Sequence, residues 1–185
     1  MIEETHQTAE RKMKRAVEAL QHDLSSVRTG RASPALLERV QVDYYGAATP
    51  LNAVATINVP EPRLLVIQPW DKKMLPVIEK AIQKSDLGLT PSSDGTVVRL
   101  PIPQLNEERR RDLVKQVHKR VEEARVAIRN CRREAIDEMR KAERDKQVSE
   151  DDVKRAQERL QKLTDSYVAE VDDVGRRKES EVMEI

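Results

Sequence analysis

Three stretches of the chain repeat apolar residues at intervals of three and four, the spacing that gathers side chains on one face of a helix. The longest starts near Asn106, where Leu113, Val117, Val121, Ala124, Ile128, Cys131, Ala135, Met139 and Ala142 form one stripe among charged residues. After a break at Lys146-Gln147-Val148, the run Ser149-Glu150-Asp151-Asp152 supplies a hydroxyl N-cap and acids for a new first turn. A second stripe then passes through Val153, Ala156, Leu160, Leu163, Tyr167, Val171 and Val174, loosened only by Gly175 before Val182. No proline interrupts either stretch, and at ~1.5 Å per residue each predicted helix is on the order of 50–60 Å long. The third stripe opens the chain through Ile2, Ala9, Met13, Ala16, Val17, Leu20, Leu24 and Val27. Each helix presents one apolar seam that must be covered, and three seams can close on one another as a bundle. The drifting spacing and the many alanines suit a closed bundle within one chain better than a coiled coil between chains.

The pattern changes between these helices. All nine prolines lie from Pro34 to Pro103, together with Gly46, Gly88 and Gly95, and the segment is far less charged than the helices. Alternating or β-branched runs at 39–44, 54–59, 64–68 and 96–100 read as strands. Residues 71–84 read as a helix capped by Asp71 with Pro76 near its start, and Ser92-Ser93-Asp94-Gly95 as a turn. The predicted fold class is therefore α+β: an elongated three-helix bundle, residues 1–30 and 105–185, carrying an inserted small β/α/β domain, residues 31–104. Two chain segments join them, Thr29-Gly30-Arg31 and Pro103-Gln104-Leu105, and a double covalent link acts as a hinge. Gly30 permits unusual backbone angles there, while Pro101 and Pro103 hold the return path extended.

Composition narrows the function. With 38% hydrophobic and 36% charged residues the chain should fold, and no apolar run approaches the ~18 residues of a membrane span. Its first residues, Met1-Ile2-Glu3-Glu4-Thr5, lack the basic and apolar regions of an export signal. The single cysteine, Cys131, suits a reducing compartment, and a cytoplasmic location is expected. The sequence offers no phosphate loop, no Cys-x-x-Cys pair, no His-Glu-x-x-His helix and no Gly-x-Ser-x-Gly elbow. His6, His22 and His118 sit among charges and are expected on solvated faces. Cys131 lies on an apolar stripe, where a thiol is a small core residue and not a nucleophile. Glu150-Asp151-Asp152 lacks the spacing and glycine of a calcium loop. No catalytic residue, metal ligand or cofactor is expected, and the chain is not read as an enzyme.

A net charge of +1 gives no attraction of the whole molecule for nucleic acid, so any such binding must be local. Arg125, Arg129, Arg132, Arg133, Arg140 and Arg144 recur largely at three- and four-residue intervals as a ridge beside the core stripe. The planar arginine fork suits phosphates and RNA edges. The same arginines could form a solvated face paired with Glu122, Glu134, Asp137 and Glu138, and spacing alone favours that plainer reading. The acid-free stretch Arg129-Asn130-Cys131-Arg132-Arg133 points the other way, because pairing does not require such density. Arg109-Arg110-Arg111 forms a second cluster, at a helix start where the dipole disfavours cations. A non-catalytic helical adaptor that binds protein partners through its charged faces is the alternative reading.

Several local sequences in order resemble the bacterial ribosome recycling factor family across the whole chain. Arg28-Thr29-Gly30-Arg31-Ala32-Ser33-Pro34 is similar to its first hinge signature, Asp86-Leu87-Gly88-Leu89-Thr90-Pro91 to its mid-insert signature, and Pro103 through Leu113 to its second hinge. Ala124 through Arg133 resembles the RNA-facing part of the bundle and Lys146 to Asp152 the interhelical turn; Cys131 and Trp70 depart from the family's usual residues. The resemblance implies an L-shaped, monomeric, two-domain factor whose outline approximates transfer RNA. It implies binding to large-subunit ribosomal RNA and, with elongation factor G and GTP, separation of the post-termination ribosome into subunits, with release of messenger and transfer RNA. It makes Arg132 the strongest expected RNA contact, with Arg129, Arg133 and Arg110 next and Arg125 within the same motif. Gly30, Arg31 and Leu105, beside Pro103 and Gln104, belong to the expected hinge.

Overall fold

The apolar stripes become three helices, α1 (Ile2–Ser25), α3 (Glu107–Arg144) and α4 (Glu150–Met183), in a computed structural model that describes residues 1–27 and 29–184. Arg28, in the first hinge signature, and Ile185 lie outside the described residues. The chain divides into two compact units, one of Met1–Leu24 with Val114–Ser180 and the other of Ser25–Leu113 with Glu181–Ile185.

The first unit is a bundle built on the predicted seams. Ala9, Met13, Val17, Leu20 and Leu24 of α1 are buried, as are Val117, Val121, Ala124, Ile128, Ala135, Met139 and Ala142 of α3. At one end Met139, Val153 and Ala156 cluster with Ile2 and Val148, which ties all three helices together. Side-chain links also cross between helices: Lys12 with Glu134 at 3.0 Å and Arg159 with Glu3 at 2.6 Å.

Three expectations about the seams need correction. His6 is buried and not solvated, at 6% exposure, and its Nε2 has no hydrogen-bond partner. It falls four residues after Ile2 and three before Ala9, so the helical repeat turns it inward despite its charged neighbours. On α4 the buried positions are Val153, Ala156, Leu160, Thr164, Val171, Gly175 and Val182, while Leu163, Tyr167 and Val174 are only partly buried. The expected stripe followed a heptad, whereas a straight helix advances 3.6 residues per turn and rotates away from it. Thr164 is accommodated because its hydroxyl donates to the Leu160 carbonyl at 2.8 Å. Cys131 is half-buried, at the edge of the seam.

Both α3 boundaries are set by local chemistry. The Asn106 side chain accepts from the Arg109 N–H at 2.7 Å, an N-cap bond. At the other end the Gln147 N–H bonds to the Ala142 carbonyl and the Lys146 N–H to the Glu143 carbonyl, with Lys146 in the left-handed region at φ 59°. This is the Schellman arrangement, with lysine where glycine is usual. Ser149 then caps α4, its hydroxyl accepting from the Asp152 N–H at 3.1 Å.

The second unit holds the sheet structure. A hairpin of β1 (Gln41–Tyr44) and β2 (Ala47–Pro50) stands apart from a four-stranded antiparallel sheet ordered β3 (Ala55–Glu61), β4 (Leu64–Pro69), β6 (Val98–Pro101) and β5 (Ser92–Ser93). Asp71 caps a 3-10 turn at Lys72–Met74, which leads into α2 (Leu75–Lys84) with Pro76 in its first turn. Leu65 and Ile67 of β4, Val98 and Leu100 of β6, and Ile78 and Ile82 of α2 are fully buried and form the centre of this core.

Sequence pattern missed β2 and β5. Ala-Ala-Thr-Pro is too short and small to alternate visibly, and the β1–β2 turn uses Tyr45-Gly46, with φ 50° and 87°, in place of the usual Asn-Gly. Asp43 stabilises that turn by accepting from the Gly46 N–H at 2.8 Å. Ser92 and Ser93 pair with Arg99 and Val98 immediately before the Asp94 turn.

Candidate nucleic-acid interface

Of the five arginines that the family resemblance marks for RNA, Arg125, Arg129, Arg132 and Arg133 lie on α3 within the bundle unit, and their surroundings differ sharply. Arg125 is braced. Its Nε donates to Asp172 Oδ1 at 2.8 Å and its Nη1 to Glu122 Oε2 at 3.0 Å, with only 31% of the side chain exposed. The hydrogen bond to Asp172, reinforced by Glu122, raises its pKa further above the ordinary arginine value. An incoming phosphate would have to displace two carboxylates, so Arg125 fits the plainer reading of a paired structural cation.

Arg129 is freer, with Glu122 Oε1 3.9 Å from its Nη1. Arg133 is exposed and makes no ion pair among the described residues. Arg132 is the most organised. Its Nη1 donates to Gln161 Oε1 at 2.5 Å, and the Gln161 amide in turn donates to Asp165 Oδ1 at 2.9 Å. The neutral amide aims the guanidinium without cancelling its charge, and Arg132 has no carboxylate in ion-pair range among the described residues. Its Nε is buried without a partner. A fork fixed by a neutral group, with donors left over, can receive a phosphate or a base edge at little ordering cost.

Arg110 belongs to the other unit, where it lines a cavity of about 190 Å³ with Gly30, Arg31, Pro62, Arg63, Gln104, Leu105 and Glu184. Four residues expected in the hinge, Gly30, Arg31, Gln104 and Leu105, thus meet around one cavity. Pro103, exposed, immediately precedes the wall residue Gln104. The walls are fixed by backbone bonds from the Ala32 N–H to the Pro62 carbonyl at 2.7 Å and from the Ile102 N–H to the Arg63 carbonyl at 2.8 Å. Gly30 does not use its expected freedom, because the glycines with positive φ are Gly46, Gly88 and Gly95. Of the neighbouring cluster, Arg111 is paired with Glu107 at 2.6 Å.

Sequence reasoning missed Gln161, Asp165, Arg63 and Glu184. Only the i,i+4 pairing of Gln161 with Asp165 is visible in the sequence, and their link to Arg132 requires the packing of α4 on α3. Cys131 flanks this ridge, and burial pushes its thiol pKa up. Among the described residues no group of three or more His, Cys, Asp or Glu side chains could hold a metal, and no helix is long and apolar enough to cross a membrane.

The fold defines the class first: an α+β chain in which a small antiparallel sheet unit interrupts a three-helix bundle. The chain belongs to the ribosome recycling factor family, whose sequence model, described as "Ribosome recycling factor", matches residues 20–183. It is 59% identical over 185 residues to the ribosome-recycling factor of Heliobacterium modesticaldum and 56% identical to that of Halalkalibacterium halodurans, each match covering both chains completely. A solution structure of a ribosome recycling factor is similar with a TM-score of 0.79 at 47% identity, covering 100% of this chain and 98% of that one. A second solved structure, with a TM-score of 0.69, 47% identity and full coverage of both chains, is described as models for the T. thermophilus ribosome recycling factor and the E. coli elongation factor G bound to the E. coli post-termination complex.

Proposed function

We propose that this protein recycles ribosomes: it binds the post-termination ribosome and, with elongation factor G and GTP, separates it into subunits, freeing messenger and transfer RNA. It acts in the cytoplasm, as a monomer and as a binding factor without catalytic chemistry of its own. Arg132 grips large-subunit RNA, with Arg129 and Arg133 as flanking contacts and Arg110 as a further one. Arg125 holds α3 to α4 behind them. Gly30, Arg31, Pro103, Gln104 and Leu105 serve as the flexible connection that lets elongation factor G move the sheet-bearing part of the chain against the helical bundle.

The observation that carries the RNA contact is the Gln161-held guanidinium of Arg132, fixed yet uncompensated. Family membership carries the recycling activity. Purified protein, mixed with post-termination complexes, elongation factor G and GTP, should yield free subunits, and Arg132→Gly should lose large-subunit binding while keeping its helical signal. Intact post-termination complexes in the presence of active elongation factor G would remove the recycling role. Unimpaired pelleting of a folded Arg132→Gly variant with large subunits would remove the ridge as the RNA contact.

A further inference from the structure

The chain has three tyrosines, one tryptophan and no phenylalanine, and Tyr44, Tyr45 and Trp70 are all exposed in the sheet unit. Tyr45 and Trp70 are the most open, at 77% and 69% exposure. Their polar ends are nevertheless fixed. The Trp70 indole N–H donates to Thr56 Oγ1 at 3.1 Å, and the Tyr45 hydroxyl donates to Asp71 Oδ2 at 3.2 Å. Asp71 follows Trp70 in the chain, so the turn of the β1–β2 hairpin is bonded to the segment that carries the indole. Tyr44 braces Tyr45 edge to face, with ring centroids 4.7 Å apart. No cation covers either ring among the described residues. With their hydrogen-bonding groups engaged, the two rings offer solvent their flat faces.

We infer that Trp70 and Tyr45, with Lys72 and Lys73, form a stacking platform for an unpaired strand of RNA. A nucleobase needs only a π-face to stack, whereas a docked peptide brings backbone carbonyls that need donors, and the donors of these rings are taken. The charges select the same ligand. Lys72 and Lys73 are exposed and make no ion pair among the described residues. Both nearby acids already accept hydrogen bonds: Asp71 Oδ1 from the Lys73 N–H at 3.0 Å, and Asp43 Oδ1 from the Gly46 N–H at 2.8 Å. Two free ammonium groups following Trp70 attract a phosphate backbone and repel a cationic side chain that could otherwise stack on the rings. Paired RNA keeps its base faces inside the helix, so the platform selects unpaired strand. Rings held before the ligand arrives lose little freedom on binding. The choice of RNA over DNA rests on the proposed ribosomal role; the platform itself shares no residue with the arginine ridge and lies in the other unit from Arg132.

Trp70 is the only tryptophan, so its fluorescence reports this site and no other. Titration of the full chain with a short oligouridine should quench that emission saturably, because a base stacked on an indole quenches it. A blunt RNA duplex and inorganic polyphosphate at equal phosphate should not. Tyr45→Asn removes one ring while giving the hairpin the favoured Asn-Gly turn, and it should weaken the oligouridine affinity about 5-fold or more, the lower value of one stacked base. Lys72→Gln together with Lys73→Gln should lower the slope of log affinity against log salt by about 1.4, the value for two single-strand phosphate contacts. Equal quenching by polyphosphate, silence with oligouridine, or an affinity unmoved by both variants overturns the platform. Saturable quenching by an oligoglutamate peptide with oligouridine silent assigns these faces to an acidic protein and overturns the RNA reading. Subunit splitting without quenching would remove the platform and keep the recycling role, and quenching without splitting would do the reverse.

Discussion

Replacing Gly175 by alanine should destabilise the bundle, although the same change at an open helical position stabilises. Alanine is favoured over glycine inside a helix by about 1 kcal/mol. A Cβ built at Gly175, however, would lie 2.6 Å from Val121 Cγ2, with Val121 Cβ and Cγ1 at 3.7 and 3.8 Å. Carbon atoms prefer roughly 3.5–4.0 Å, so the shortfall is about 1 Å. Val121 cannot readily turn aside, because a β-branched residue in a helix is held to one rotamer about 90% of the time, and it is itself buried. The remaining response is to push α4 away from α3, and overpacking of this kind costs about 1–3 kcal/mol. Subtracting the gain in helix propensity leaves a net loss of up to about 2 kcal/mol, or a Tm lower by up to about 8 °C for a chain of this size. Urea unfolding followed by far-ultraviolet circular dichroism would measure it, alongside Val121→Ala and the double variant. Val121→Ala removes the opposing methyl, so the double variant should be more stable than the sum of the singles by about 1–3 kcal/mol. Stabilisation by Gly175→Ala alone, or strict additivity in the cycle, would show that α3 and α4 do not meet closely at this point.

Lys146→Gly should stabilise by about 0.5–1 kcal/mol, because Lys146 holds φ 59° at the end of α3, where glycine avoids the steric cost; a lower urea midpoint would contradict the assignment. Arg125→Ala should cost about 1–2 kcal/mol by leaving Asp172 without its partner. Arg132→Lys should leave stability within about 0.5 kcal/mol and reduce large-subunit pelleting, since lysine cannot both hold Gln161 and present a fork; the reverse pattern would exchange their roles. Acid should weaken the fold through carboxylates whose folded pKa lies below the ordinary value. These are Asp94, held down by the Val97 and Thr96 N–H groups, Asp152 by Ser149, Glu3 by Arg159 and Asp173 by Arg177. Such groups contribute fully above the unfolded pKa of about 4 and lose their contribution as pH falls through the lower folded value. The Tm should therefore be level from about pH 7 to pH 5.5 and decline below about pH 4, and Asp94→Asn should flatten part of that decline; a Tm unchanged at pH 3 would refute the assignment.

The sequence by itself determined the three helices, because a proline-free apolar stripe has no other way to bury itself. It also determined the start of α4, through the Ser149 cap, the position of the sheet unit, through its prolines, and the family, through several ordered motifs. Tertiary structure alone decided which residues on those elements carry free charge. Arg125 and Arg132 are seven positions apart and look alike in sequence, yet α4 presents Asp172 to one and Gln161 to the other. It also turned His6 inward, placed Gly175 against Val121, and brought Arg31, Arg63, Arg110 and Glu184 around one cavity. The physical reason is range: helix propensity, capping and periodicity act over about four residues, whereas charge compensation depends on whatever side chain another segment delivers within about 4 Å.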